Sequence, residues 1–254
     1  MNDLDGKTVL LTGASRGIGA ATARVLGAAG ANLVAHYGSH REGAEEATAE
    51  IDEERKLLVQ ADLAQPGAAR ALWREALAWR GRIDVLVVNA AIAPQTPFEG
   101  TDEEWDSGWD ETLRVNVLEP ASLIREAVRH YRSAGGGSVI SLSSWAGQRG
   151  SAIASLSAYA ASKAAIRNIT QTIALNYAAE GVLAFVVAPG IVRTRMSEIS
   201  AVARGGIDAV NAALAMGEMV PAEEVAQVIA FLATGRCRHL SGATLDVNGA
   251  TYIR

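Results

Sequence analysis

Tyr159 and Lys163 stand four residues apart in Tyr-Ala-Ala-Ser-Lys, near the start of a long segment of helical period, so one helix face carries both side chains. An ammonium beside a phenol favours the phenolate. It would bring Tyr159 down from an ordinary pKa of about 10 and let it exchange a proton with a substrate oxygen. Upstream, Ser143-Ser144-Trp145 closes a strand-like run, where a serine hydroxyl can donate to an oxygen gathering negative charge. Asn116 lies inside the helical stretch Arg114-Val115-Asn116-Val117 and by itself reads as part of a solvated face or as a local hydrogen-bonding group.

A different chemistry belongs to Thr12-Gly13-Ala14-Ser15-Arg16-Gly17-Ile18-Gly19, which joins a strand-like run to a helix-like one. Its glycines permit a tight turn and close backbone approach, and the helix that follows presents open amides and a positive end. That suits a pyrophosphate and predicts a dinucleotide held through Gly13, Ser15, Arg16, Gly17, Ile18 and Gly19. The spacing is G-x-x-x-G-x-G rather than the commoner G-x-G-x-x-G.

These groups need a scaffold, and the periodicity supplies one. Residues 7–12, 32–37, 56–60, 83–88, 138–143, 183–188 and 243–247 read as buried strands, and 18–29, 42–54, 66–80, 103–132, 158–180 and 221–233 as helices. Parallel neighbours need crossover connections, so the predicted fold is α/β: one doubly wound Rossmann-type domain over residues 1–254, with a seven-stranded parallel sheet. Ligands bind beyond the carboxyl ends of such strands, where the motifs above fall. Residues 194–220, with Gly205-Gly206 and scattered Met and Ile, predict a mobile helical lid.

With 49% hydrophobic and 20% charged residues the chain has material for a core and does not read as disordered. Cys237 is the single cysteine and the four histidines lack ligand spacing, so neither a disulfide nor a metal is expected. A net charge of -5 gives no broad attraction to nucleic acid. No apolar run nears the ~20 residues that cross a bilayer, so a membrane partner is not expected either. The opening Met-Asn-Asp-Leu-Asp-Gly-Lys runs at once into a strand, leaving no room for a signal peptide, and a cytoplasmic location is expected.

From Lys7 to about Gly249 the chain resembles the short-chain dehydrogenase/reductase family, particularly its 3-oxoacyl-carrier-protein reductase-like members. The resemblance rests on the turn 12–19, Asp62-Leu63, Asn89-Ala90, Asn116, Ser144, Tyr159 with Lys163, and Pro189-Gly190-Ile191-Val192-Arg193-Thr194, in family order. It implies hydride transfer between a nicotinamide cofactor and a carbonyl or secondary alcohol, a ketone or a 3-oxoacyl compound. Tyr159 would act as acid in reduction and base in oxidation, with Ser144 polarising the carbonyl oxygen. Lys163 would hold the nicotinamide ribose and lower the Tyr159 pKa, while Asn116 anchors a relay water. Asp62 and Leu63 would address the adenine, and Asn89, Ala90, Pro189, Gly190, Val192 and Thr194 the ribose and nicotinamide side.

Tyr37 stands where NAD-preferring relatives carry a carboxylate for the ribose 2′-hydroxyl. With no acid there, and with Arg16, Ser39, His40 and Arg41 nearby, NADP(H) is expected in preference to NAD(H). Ala91 replaces the usual glycine of Asn-Ala-Gly, Gly249-Ala250 replaces a glycine pair, and the loop 147–157 carries a small insertion. Ser144 is preferred to Ser143 because two residues and then Gly147 follow it, which the resemblance implies is how the family's catalytic serine is placed.

The expected pocket is walled by Trp145, Arg149, Ile153, Leu156, Ile92 and Gln95 and covered by Met196, Ile199 and Met216. Such a surround suits a ketone, an aldehyde or an acyl thioester, with Arg149 placed to meet a carboxylate. Glu180 occupies a position where carrier-protein reductases tend to place an arginine; Arg125, Arg129 and Arg132 are the candidates to compensate. The family further implies a homotetramer or dimer through 103–132 and 158–180, with the stripe Leu113, Val117, Leu118, Ala121, Ile124 and Val128 as its apolar face. The alternatives are an NAD-dependent alcohol or sugar dehydrogenase of the same family, or a regulatory cofactor binder with little turnover. The presence of both Tyr159 and Lys163 speaks against the last.

Overall fold

The computed structural model describes residues 3–202 and 205–253. Strands and helices alternate: β1 Thr8–Leu11, α1 Gly17–Ala28, β2 Asn32–Tyr37, α2 Arg41–Ala47, β3 Lys56–Gln60, α3 Ala68–Arg80, β4 Val85–Val88 and α4 Asp102–Leu113. There follow α5 Glu119–Ala134, β5 Gly137–Leu142, α6 Ala146–Arg149, α7 Ser157–Tyr177, β6 Val182–Pro189, α8 Arg195–Val202, α9 Ile207–Ala212, α10 Ala222–Ala233 and β7 Thr244–Val247. The seven strands form one parallel sheet in the order β3-β2-β1-β4-β5-β6-β7.

Alternation along β1 explains why its residues are all apolar or buried. Val9 and Leu11 face one core with Leu26 of α1 and Val225 and Ile229 of α10. Leu10 faces the other, with Trp73 of α3, Leu123 and Tyr131 of α5 and Ile166 of α7. A strand covered on both sides reads as a continuous apolar run. Strand order reverses between β1 and β4, which opens a crevice at their carboxyl ends and brings the glycine-rich turn beside Asn89.

The expected helix 42–54 ends early. The Thr48 hydroxyl donates to the Ala44 carbonyl at 2.8 Å and the chain turns, so that Ile51 packs onto α1, where a Cβ on Gly27 would lie 2.4 Å from Ile51 Cδ1. The expected helix 103–132 is broken into α4 and α5 by a π-helical turn, Arg114–Leu118. Pro120 has no N–H for the Asn116 carbonyl four residues earlier, the bond an uninterrupted α-helix would make there. The apolar stripe also divides. Ile124 and Val128 belong to the core against the sheet, whereas Leu118 faces outward. No described helix is long and apolar enough to cross a membrane.

Candidate active site

β5 is followed by two serines with different duties. The buried Ser143 hydroxyl donates to the Lys163 carbonyl at 2.8 Å, which commits it to holding α7 against the sheet. The Ser144 hydroxyl accepts the Ala146 amide at 3.2 Å and lies beside the Tyr159 phenol, whose pKa it lowers. Gly147 makes this packing possible, because a Cβ there would lie 2.7 Å from the Lys163 carbonyl carbon. The Ser-x-x-Gly spacing is therefore a close-approach requirement between α6 and α7.

Lys163 shares a face of α7 with Tyr159; its Nζ lies 5.7 Å from the phenol ring centre and donates to the Leu142 carbonyl at 2.8 Å. Burial pushes Lys163 down to about 8. Burial also pushes the Tyr159 phenol up, and Ser144 pulls it back in part. The expected downward pull of Lys163 on Tyr159 does not set its direction: desolvation of the phenolate is the largest effect and moves Tyr159 up.

Asn116 is 2% exposed, contrary to the solvated-face reading. Its Oδ1 accepts the Ile92 amide at 2.9 Å, and its Nδ2 donates to the Ile92 carbonyl at 2.8 Å and to the Ser162 hydroxyl at 3.0 Å. Ser162 donates onward to the Tyr159 carbonyl at 2.7 Å. The four expected catalytic side chains therefore surround one stretch of α7.

The turn between β1 and α1 is closed by glycine geometry. Gly13 and Gly17 have φ of 72° and 51°, and a Cβ on Gly19 would lie 1.8 Å from the Gly13 carbonyl oxygen. Two side chains beyond the glycines complete it. Thr12 Oγ1 accepts the Asn89 and Ala90 amides at 2.9 and 3.1 Å. His36 Nδ1 accepts the Gly13 amide at 3.1 Å. The Asn89 side chain donates to the Thr12 and Gly13 carbonyls at 2.8 and 3.0 Å, so it shapes the turn.

This turn fits a cofactor pyrophosphate. The N-cap of α1, Arg16, makes no side-chain cap and the first turn holds no acid, leaving the leading amides to an anion. By contrast, α4 starts with a capping box of Thr101 and Glu104. The segment after β6 crosses to the same turn: Gly190 donates its amide to the Val247 carbonyl at 2.9 Å, and Pro189 accepts the Trp145 amide at 3.0 Å. Val192 is buried and bridges to Val220. Thr194 reaches Gly17, where a Cβ would lie 2.9 Å from Thr194 Cγ2.

At the other end, the Tyr37 hydroxyl accepts from Arg41 at 3.3 Å, while Arg41 also pairs with Glu45 at 2.8 Å. Ser39 and Arg16 are exposed, and Arg16 has no ion-pair partner among the described residues. His40 is partly spent, its Nδ1 accepting the Gly43 amide at the start of α2. Exposed Asp62 accepts the Ala64 amide at 2.9 Å and the Gln65 side chain at 3.2 Å. The Leu63 side chain is buried in the core, so only its backbone is available to a ligand.

Trp145 and Ile191 pack against Ala201, Val210, Leu214 and Met219, which joins the residue after Ser144 to the 194–220 segment. Residues 203–204 and the Ile199 side chain lie outside the described part. Met196 and Met216 are exposed, and Arg149 lies 5.0 Å from the Trp145 ring centre and 5.7 Å from that of Tyr252. The segment 147–157 is tied to Thr96, whose amide donates to the Ser155 carbonyl at 2.7 Å. Ile153, Leu156 and Ile92 are partly buried and Gln95 is exposed. Arg132 forms an exposed ion pair with Glu180, and Arg125 and Arg129 both lie against Glu126.

A family model described as enoyl-(acyl carrier protein) reductase matches residues 13–250. The chain is 36% identical over 251 residues to a cis-4-hydroxycyclohexanecarboxylate dehydrogenase from Sinomonas cyclohexanicum, covering 96% of this chain and 95% of that protein. A solved structure described as a short chain dehydrogenase/reductase family protein is 31% identical with a TM-score of 0.83, over 97% of both chains. The NADP-bound structure of a 3-oxoacyl (acyl-carrier-protein) reductase from Agrobacterium tumefaciens C58 is 29% identical with a TM-score of 0.86, covering 97% of this chain and 94% of that one.

Proposed function

Because the chain belongs to the short-chain dehydrogenase/reductase family, we propose that it interconverts a compact ketone and its secondary alcohol with NADP(H) in preference to NAD(H). It is an NAD(P)-dependent oxidoreductase acting on CH–OH or carbonyl groups. The observation that carries the residue assignment is Tyr159 beside the buried Lys163, whose Nζ lies 5.7 Å from the phenol ring centre, with Ser144 acting on the same phenol.

When bound, the reduced nicotinamide supplies hydride to the carbonyl carbon. The Ser144 and Tyr159 hydroxyls orient the carbonyl oxygen, and the Tyr159 Oη gives it a proton as the alcohol forms. A phenol held up by burial is protonated at neutral pH and ready as the acid. Lys163 stands beside the ring to offset the phenolate as it develops, and Asn116 fixes α7 so that both hydroxyls share one target.

The cofactor preference is supported by Tyr37 in place of an acid and by the open Arg16 and Ser39. A free ketone is favoured over a carrier-bound one, because the Arg132–Glu180 pair offsets a charge that would attract an acidic carrier. The Sinomonas relative acts on a ring alcohol bearing a carboxylate, and Trp145 with Arg149 at the mouth suits such a compound. The segment 194–220 serves as the lid, within one domain. Assembly as a homotetramer or dimer through α4, α5 and α7 is supported by the outward-facing Leu118 and Leu175. Light scattering tests it, a monomer being the contrary result.

The function is tested by titrating the protein with NADPH and NADH, then adding cyclic ketones with and without a carboxylate and 3-oxoacyl thioesters. Oxidation of NADPH by a cyclic ketone supports the reading, activity confined to thioesters moves it to the carrier-type substrate, and failure to bind either cofactor refutes it.

A further inference from the structure

His36 is 2% exposed at the carboxyl end of β2, with both ring nitrogens engaged on different loops. Nδ1 accepts the Gly13 amide at 3.1 Å, on the turn between β1 and α1. Nε2 lies 2.9 Å from the carbonyl of Ala61, the residue before Asp62 on the loop after β3. The His36 carbonyl accepts the Ala14 amide at 2.8 Å, so main chain and side chain grip successive residues of the same turn. Only the neutral ring with its proton on Nε2 satisfies both contacts, because a carbonyl can only accept and an amide N–H can only donate. Burial lowers the His36 pKa and favours that neutral form.

We propose that His36 is a positioning residue for the cofactor: by bridging Gly13 and Ala61, it sets the distance between the turn that takes the pyrophosphate and the loop that takes the adenine. The inference rests on the cofactor reading above. His36 touches no reacting atom, so it governs how tightly the dinucleotide is held and leaves proton transfer at Tyr159 alone. NADPH and NADH share the pyrophosphate and the adenine, so loss of the bridge weakens both equally. Removal of Arg16, by contrast, changes their ratio.

The test measures dissociation constants for NADPH and NADH by quenching of protein fluorescence, together with KM and kcat, for the wild type and three variants. His36→Asn retains an acceptor at the Nδ1 position, His36→Gln retains a donor at the Nε2 position, and His36→Phe fills the space with neither. His36→Phe is expected to weaken both cofactors about tenfold or more, the effect of an unpaired amide in a shifted turn, with kcat at saturation within about twofold. His36→Asn and His36→Gln fall between, each restoring one arm. Val128→Ala, in the core away from the turn, serves as a destabilised control and leaves the constants unchanged. If His36→Phe does not fold, the Asn and Gln variants carry the same comparison. The proposal is overturned if folded variants bind as the wild type does, if the NADPH to NADH ratio shifts, or if kcat falls while binding holds. A wild type that binds neither cofactor refutes the functional reading itself.

Discussion

The Asn116 carboxamide donates to the Ser162 hydroxyl at 3.0 Å, which couples the π-helical turn to α7 one residue before Lys163. The same carboxamide closes a pair of hydrogen bonds with the Ile92 backbone, so one side chain holds α7, the π-turn and the loop after β4. Asn116→Ala leaves these groups buried without partners, at about 2–3 kcal/mol. Thermal unfolding should fall by roughly 5–10 °C for a chain of this size, and an unchanged midpoint would contradict the coupling.

The two serines separate stability from chemistry. Ser143→Ala loses a buried hydrogen bond and is expected to cost about 1 kcal/mol in urea unfolding with turnover retained. Ser144→Ala should lower kcat by about 10²–10³ with the unfolding midpoint held, as removal of an oxyanion donor does. The reverse pattern would move the assignment to Ser143.

Part of this was legible before any coordinates. All seven strands follow from apolar runs bounded by Gly, Asn and Asp, and the Gly147 spacing used to choose Ser144 over Ser143 has a physical counterpart in the close approach of α6 and α7. The helical spacing over 42–54 continues past Thr48, whereas the real limit is set by Ile51 packing on Gly27, a contact between distant segments. The π-turn had a local signal in Pro120, four residues after Asn116. His36 had none beyond being a polar residue at a buried strand end, where every such group must find a partner, and for Thr12 the turn motif marked the position without its hydrogen bonds. The Leu63 side chain went to the core for the same kind of reason, which periodicity over two residues cannot register.

Lys163 carries a stability penalty with a definite pH window. The folded chain releases its proton at about 8 and the unfolded chain at 10.5, so between these values the unfolded state binds more protons and stability rises with pH. Below pH 8 the full cost of burying the ammonium is present, on the order of 3 kcal/mol before the Leu142 hydrogen bond is counted. Lys163→Met is therefore expected to be the more stable protein at pH 7, while losing activity, with the gap closing between about pH 8 and 10.5. Chemical denaturation across that range checks it; a variant less stable by the same margin throughout would contradict it.

Arg16 is exposed and has no ion-pair partner among the described residues, so its substitution should disturb little else. Arg16→Ala is expected to lower kcat/KM for NADPH by about 5–10-fold, the worth of a charge-assisted contact to phosphate at an accessible site, with NADH unaffected. Equal losses for both cofactors would remove Arg16 from 2′-phosphate recognition.

The central claim is that Tyr159 transfers the proton, and single-turnover reduction of a cyclic ketone by bound NADPH tests it most directly. Tyr159→Phe keeps the ring beside Lys163 and removes only the hydroxyl. The expected rate is lower by about 10²–10⁴, with the NADPH dissociation constant unchanged. A Phe variant that reduces the ketone within a fewfold of the wild-type rate would contradict it.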